Sequence, residues 1–224
     1  MTNPFTLTKE QYQELYQEVL LFSQIGGVIA DEDNLWKMCL EEHSELILGI
    51  RRGDAQEILD AVCDQFVTFV QLHHYYMSKP TWEQPITSCI LANNFDLLDE
   101  LNEHNEAVIL PLMSYWLQSA ALQAEIRGFN LYKAIKEVNR SNMTKFVRLG
   151  DLMNKYGDKN TLLRASLACE ELSNGKYKDV HATRTMTAEY ALVVFRENFG
   201  NGKIVKHLAF YEEPNFEHCL LENA

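Results

Sequence analysis

Apolar residues recur at helical spacing through most of residues 8–148. Thr8-Lys9-Glu10-Gln11 has the form of a capping box and opens a helix that should run to about Gln24, with Gly26-Gly27 as its stop. Asp31 or Asp33 can cap a second helix, whose apolar positions are Leu35, Trp36, Cys39, Leu46 and Ile50. Asp54-Ala55-Gln56-Glu57 is another capping box. It opens a third helix through Ile58, Leu59, Val62, Phe66, Phe69 and Val70 to about Tyr76. Ser78-Lys79-Pro80 and Pro85 break the pattern. A short acidic helix is expected around 93–104, a longer one from about Ala107 to Arg127 with Gly128 as its stop, and one more over 130–145.

The tail changes period. Residues 160–172 read as a helix, and Ala188 to Glu197 contains Tyr-Ala-Leu-Val-Val-Phe, a β-type run. Asn201-Gly202 then separates this run from Lys203-Ile204-Val205-Lys206-His207-Leu208, which predicts a β-hairpin across that dipeptide. Such a hairpin is too small to stand alone. The expected fold is therefore mainly α: an antiparallel helical bundle over 1–150, with an insertion at about 78–105. A small C-terminal α/β extension over 151–224 would pack on it.

Composition narrows the function classes. The chain has 224 residues, 46% of them hydrophobic, as in a globular protein. No apolar run reaches the roughly 18 residues that a membrane-spanning helix needs, and Met1 to Glu10 lacks the features of a secretory signal. The formal net charge of -12 argues against a broad nucleic-acid footprint but leaves room for a small phosphorylated ligand. The five cysteines include no CxxC, which fits reduced thiols and a cytoplasmic location.

The chemistry concentrates around Gly49-Ile50-Arg51-Arg52-Gly53-Asp54. Glu42 and Glu45 precede this turn, and Glu57 and Asp60 follow it at mirror-image positions about Arg51. If the flanking helices fold back on each other, Glu45 faces Glu57 and Glu42 faces Asp60, each pair of acids within a helix being held on one face by i,i+3 spacing. Packed carboxylates repel unless a cation lies between them, and hard oxygen ligands suit Mg²⁺ or Mn²⁺. The competing reading is a solvated acidic face, with Glu57 occupied as a helix-capping residue.

A second polar cluster is Asn139-Arg140-Ser141-Asn142-Met143-Thr144-Lys145. On a helix, Asn139 shares a face with Asn142, and Asn142 with Lys145; the asparagines suit sugar or phosphate oxygens and Lys145 a phosphate. The same residue types also suit an ordinary helix C-terminus. His73-His74 point about 100° apart and do not make an i,i+4 clamp. His43 is rotated off the Glu42/Glu45 face. Trp36, Tyr115 and Trp116 could stack on a base, though aromatics at helical spacing more often form core. There is no P-loop motif and no Glu-x-x-His pair of the di-iron bundles.

Glu41-Glu42-His43-Ser44-Glu45 followed by Glu57-Ile58-Leu59-Asp60 resembles the ExxE…ExxD signature of the MazG-like all-α nucleoside triphosphate pyrophosphohydrolases. That superfamily also holds the dimeric dUTPases and phosphoribosyl-ATP pyrophosphohydrolase. Glu137 to Lys145 is similar to a segment of its phage and bacterial members, and the two motifs span roughly 35–145. Gly202-Lys203 with Lys206, Phe210 and Pro214 is similar to the ends of some phage members. The resemblance implies Mg²⁺-dependent hydrolysis of a nucleoside triphosphate, a dNTP above all, to monophosphate and pyrophosphate. Glu42, Glu45, Glu57 and Asp60 would hold the metal. Glu41 would orient or deprotonate the attacking water, or support the ligands. Asp64 could join a second metal or back the ligands. Lys37, Asn139, Asn142 and Lys145 would contact substrate. A homodimer or homotetramer is expected. The alternatives are a phosphoribosyl-ATP hydrolase and a non-catalytic helical interaction protein.

Overall fold

The computed structural model describes residues 3–28, 31–78, 109–187, 191–198 and 202–221. These form seven α-helices, a three-stranded antiparallel sheet and one 3₁₀ turn. The helix expected around 93–104, most of the 78–105 insertion and the start of the helix expected from Ala107 lie outside the described residues. The chain divides into two compact units. One is helical, comprising Met1–Leu20, Ala30–Asn139 and Asn215–Ala224; the other is mixed, comprising Leu21–Ile29 and Arg140–Pro214. Among the described residues no helix is long and apolar enough to cross a membrane.

The helical unit is built on the first part of α1 (Lys9–Gly26), on α2 (Glu32–Arg52), α3 (Ala55–Met77) and α4 (Ile109–Arg127), and on the first part of α5 (Leu131–Met143). The first capping box forms in full: Gln11 N–H donates to Thr8 Oγ1 at 3.3 Å, and Thr8 N–H to Gln11 Oε1 at 2.9 Å. From Ile58 to His73 every residue of α3 is buried except Asp60 and Asp64, which are half-buried, so α3 is the central helix. Trp116 of α4 packs on Phe66 with ring centres 5.3 Å apart, and its indole N–H donates to the Val62 carbonyl at 3.2 Å. The final residues return to this core. Phe216 and Cys219 are buried in it, and Leu221 N–H and Asn130 N–H bond to Gly128 O and Cys219 O, both at 2.8 Å.

In the mixed unit, β1 (Val147–Arg148), α6 (Leu149–Tyr156), α7 (Thr161–Leu172), β2 (Val180–Met186) and β3 (Ala191–Glu197) follow α5. The sheet order is β1-β3-β2. β3 is the central strand, and its apolar run is explained by burial on both faces. Val193 and Phe195 enter one cluster with Leu152, Ala165 and Cys169. Leu192 and Val194 enter another with Ile25 and Phe146.

The pairing expected across Asn201-Gly202 forms in a shorter version: Glu197 N–H donates to Lys203 O at 3.1 Å beside an Arg196↔Ile204 bridge. β3 pairs along its whole length with β2, from Val180↔Glu197 to Met186↔Ala191. On its other edge β1 takes Leu192 and Val193, so the segment after Gly202 meets β3 at one end alone. There it forms a single bridge, Arg196↔Ile204, with Val205 N–H donating to Phe195 O at 2.9 Å. β2 (Val-His-Ala-Thr-Arg-Thr-Met) has weak hydrophobic alternation, as befits an edge strand. Its edge is partly covered: Val180 N–H donates to Glu170 Oε1 at 2.6 Å and Ala182 N–H to Ser166 Oγ at 3.0 Å, both acceptors from α7.

Candidate functional site

The acid-rich hairpin is α2 followed by α3, joined through Gly53 and Asp54. Gly53 adopts φ 69°, ψ 21°, which favours glycine. Its N–H donates to Ile50 O at 3.2 Å, and Asp54 N–H donates to Gly49 O at 3.1 Å, the Schellman ending of a helix. Asp54 then caps α3, accepting from Gln56 N–H at 2.9 Å and Glu57 N–H at 3.1 Å. The reciprocal half of the expected capping box does not form. Both Glu57 carboxylate oxygens instead accept from Arg52 Nη1, at 3.0 and 3.1 Å.

Contacts along the pair set its register. A Cβ added to Gly49 would lie 3.1 Å from Ile58 Cγ1 and 3.3 Å from Glu57 Cβ, so the helices touch there. Farther up, His43 Nδ1 meets Gln65 Nε2 at 3.2 Å, and Thr68 stands beside the Cys39 thiol. At the open end the Glu32 carboxylate accepts from the hydroxyls of Tyr75 and Tyr76. Counting back from Gly49 and forward from Ile58, Glu45 comes level with the turn holding Asp60 and Val62. Glu42 comes level with the turn holding Asp64 and Gln65. The expected facing pairs, Glu45 with Glu57 and Glu42 with Asp60, are therefore displaced by more than one turn of α3. The physical reason is the position of the reversal. Helix α2 continues through Arg51 and Arg52 and turns at Gly53-Asp54, so the mirror axis lies beyond Arg51.

The acids are distributed over both helices of the hairpin. On α3, Glu57, Asp60 and Asp64 fall within about 60° of one another; Glu57 is exposed, while Asp60 and Asp64 are half-buried. On α2, Glu41 and Glu45 are exposed, as is Lys37 one turn before Glu41. Glu42 is half-buried, on the stripe of Leu35, Cys39, Leu46 and Gly49 that faces the core. The negative field reaches the buried thiols beside it. Burial pushes Cys39 up to about 11, with Thr68 opposing the rise and the Glu42 charge adding to it. Burial, then Asp60 and Asp64, pushes Cys63 well above the ordinary thiol range. Among the described residues no three acid, histidine or cysteine groups are drawn to metal-binding distance.

The second polar cluster is used differently. Asn139 is buried in the helical unit and donates to Glu18 Oε2 at 3.0 Å. Asn142 and Lys145 belong to the mixed unit. There Asn142 is buried, and Lys145 Nζ lies 5.7 Å from the centre of the Phe22 ring. Their neighbours hold the 211–213 segment: Arg140 bonds Glu212 Oε2 at 2.6 Å, Ser141 Oγ donates to Glu212 O at 2.8 Å, and Glu212 N–H donates to Thr144 Oγ1 at 3.0 Å. Helix α5 ends at Met143, two residues before the expected end.

Among the histidines, His73 is buried with Nδ1 3.1 Å from Tyr16 O–H, and His74 is exposed. Trp116 is core, Trp36 donates to Tyr76 O–H at 3.2 Å, and Tyr115 is exposed. Sequence reasoning misses Gln65, a buried amide between Asp64 and Phe66. Its one signal is a polar residue inside the apolar run of α3. Compared with models of protein families, with curated proteins and with solved structures, the chain matches none.

Proposed function

We propose that the α2–α3 hairpin is the catalytic face of a Mg²⁺-dependent nucleoside triphosphate pyrophosphohydrolase of the MazG-like type, acting in the cytoplasm on a dNTP for nucleotide-pool control. The observation that carries this reading is the register. It brings Glu42 within a helical turn of the level of Asp64, and Glu45 within a turn of the level of Asp60, on adjoining helices that carry the motif Glu41-Glu42-His43-Ser44-Glu45.

The donor set fits Mg²⁺ or Mn²⁺ in its chemistry: all ligands are carboxylate oxygens, and they come from two adjacent helices. Glu42, Glu45 and Asp60 would hold the ion, with Asp64 as a fourth donor at the level of Glu42. Glu57, a ligand by the resemblance, would exchange its bond to Arg52 for this role. When bound, the ion would screen the phosphate oxygens and lower the pKa of a water. Glu41, exposed at the edge of the face, would take a proton from the attacking water as its oxygen bonds to the α-phosphorus and pyrophosphate leaves. Lys37, one turn away, would bind phosphate charge, and Asn139 of the same unit would contact substrate by the resemblance. Leu40, Ile47, Leu48 and Ile50 are exposed on α2, which supports the expected homodimer or homotetramer. They equally favour a second reading, a helical interaction protein without turnover.

A panel of dNTPs and NTPs with Mg²⁺, scored for pyrophosphate against phosphate, tests the proposal. Pyrophosphate should be released, and Glu45→Gln or Asp60→Asn should cut turnover by about a hundredfold or more with the helical circular dichroism unchanged. Full activity in either variant overturns the assignment of those acids. Absence of pyrophosphate from every nucleotide favours the interaction protein.

A further inference from the structure

Helix α7 of the mixed unit commits its inner side. Ala165 and Cys169 enter the core there, and Ser166 Oγ and Glu170 Oε1 accept N–H groups of β2. Its outer side is different. Leu163 and Leu167, one turn apart, are 60% and 57% exposed. At about 100° per residue, Arg164 and Glu171 fall within about 60° of Leu167 around the helix, and both are exposed. The outer face is therefore a short apolar strip centred on Leu167, with a cation toward one end and an anion toward the other.

Neither charge is matched within the chain. Arg164 Nη1 donates to the Tyr156 carbonyl at 3.0 Å, which leaves other guanidinium N–H groups to spend. Among the described residues neither Arg164 nor Glu171 has an ion-pair partner. They cannot serve each other, because seven residues of helix rise about 10.5 Å. Their spacing is nevertheless symmetric. Arg164 stands three residues before Leu167 and Glu171 four after it. A twofold axis crossing α7 between Leu167 and Ala168 exchanges the levels of residues 164 and 171.

We propose that the outer face of α7 is a self-association surface, and that its partner is α7 of a second copy of this chain, packed antiparallel about that axis. Leu167 meets the partner subunit's Leu167 at the axis, and Leu163 widens the apolar strip. Arg164 comes level with the partner subunit's Glu171, and symmetry repeats the pair on the other side of the axis. A parallel pairing would set like charges level with each other, so the charges select the antiparallel one. The face is about 18 Å long and 10 Å wide, smaller than the roughly 800 Å² that each partner gives to a standard interface, so the pairing is of the weak, reversible class. It uses no residue of α2 and holds whether or not the helical unit pairs as proposed above.

The test is sedimentation velocity of the full chain over about 5 to 500 µM, a range that brackets weak association. A concentration-dependent step should appear, and Leu167→Asp should remove it, because that variant sets two carboxylates against each other at the axis. Any association through α2 should persist in Leu167→Asp. Glu171→Arg breaks no contact within the chain and should weaken the step about tenfold, since it sets two pairs of like charges level. Arg164→Glu should weaken it to a similar extent. The double variant with Arg164→Glu and Glu171→Arg should restore it, an outcome that a merely damaged fold does not produce. All these positions are exposed, so circular dichroism should stay that of the parent. No association step up to the highest concentration, a step untouched by Leu167→Asp, or a double variant as weak as the single ones would each overturn the proposal.

Discussion

Each unit has one central element, and the two elements are buried by different rules. Helix α3 is central to the helical unit because it is apolar nearly all round, so one core wraps it: Ile58, Val62, Phe66, Val70 and Leu72 share a single cluster. Strand β3 is central to the mixed unit because alternate residues serve two clusters, Val193 and Phe195 on one side, Leu192 and Val194 on the other. A helix of this kind reads directly from its residues. A strand depends on partners distant in sequence, β1 and β2, to define its faces.

The largest expected effect separates the two rules. Phe66→Ala should cost the helical unit about 3–5 kcal/mol, as should Phe195→Ala for the mixed unit. Hydrogen exchange followed amide by amide should show each substitution lowering protection chiefly in its own unit. Equal loss in α3 and β3 from either variant would make the two units one cooperative block.

Acid sharpens the contrast next, since each unit buries a neutral histidine. In the helical unit, burial and the neighbouring His74 lower His73 from 6.5 to about 4. In the mixed unit His207 is fully buried, with Nε2 3.1 Å from Tyr156 O–H and the Phe195 ring 4.9 Å away. Burial, with Lys155 adding to it, lowers its pKa as well. A folded-state pKa below the unfolded value means that the unfolded chain binds more protons. The stability each neutral ring contributes is thus complete above about pH 6.5 and falls as pH drops through that value toward the folded pKa. For His73 the window extends from 6.5 to about 4. Exchange measured from pH 7 to 4 should show both units weakening, and His207→Phe should flatten the profile of the mixed unit alone. An unchanged profile in that variant would remove His207 as the cause.

The smallest effects test single polar contacts that end an element in each unit. Thr8→Ala removes the acceptor for Gln11 N–H at the start of α1, and Ser166→Ala removes the acceptor for Ala182 N–H at the edge of β2. Each should cost about 1 kcal/mol in chemical denaturation. Ser166→Ala should also raise self-association, because it uncovers a strand edge.

Much of the helical unit is legible in its residues alone. Capping residues and glycines mark helix ends within a few positions, as Thr8, Asp31, Asp54 and Gly128 show, because those signals act over one turn of chain. The six candidate acids are legible as residues but not as pairs. Which acid stands level with which depends on where α2 stops, and the helix runs on through Arg52 to Gly53, shifting the pairing by more than a turn. Glu57 shows the same limit: its spacing suits a capping box, yet Arg52 supplies the partner its carboxylate takes. Strand β2 escapes a reading by alternation, and the Asn201-Gly202 hairpin signal overreaches, because strand pairing is a contest among segments. β2 occupies one edge of β3 and β1 takes Leu192 and Val193 of the other, so only Lys203 to Val205 of the expected Lys203 to Leu208 strand pairs there.

The sequence by itself determined α1 to α5 and α7, the caps that open α1 to α3, the β character of β3, and the concentration of carboxylates around one turn, while α6 went unread. All of these follow from local propensity and periodicity. Tertiary structure decided the register of α2 against α3, the partners of β3, and the commitment of Asn139 to Glu18. Those depend on distances between residues far apart in the chain, which no local pattern encodes.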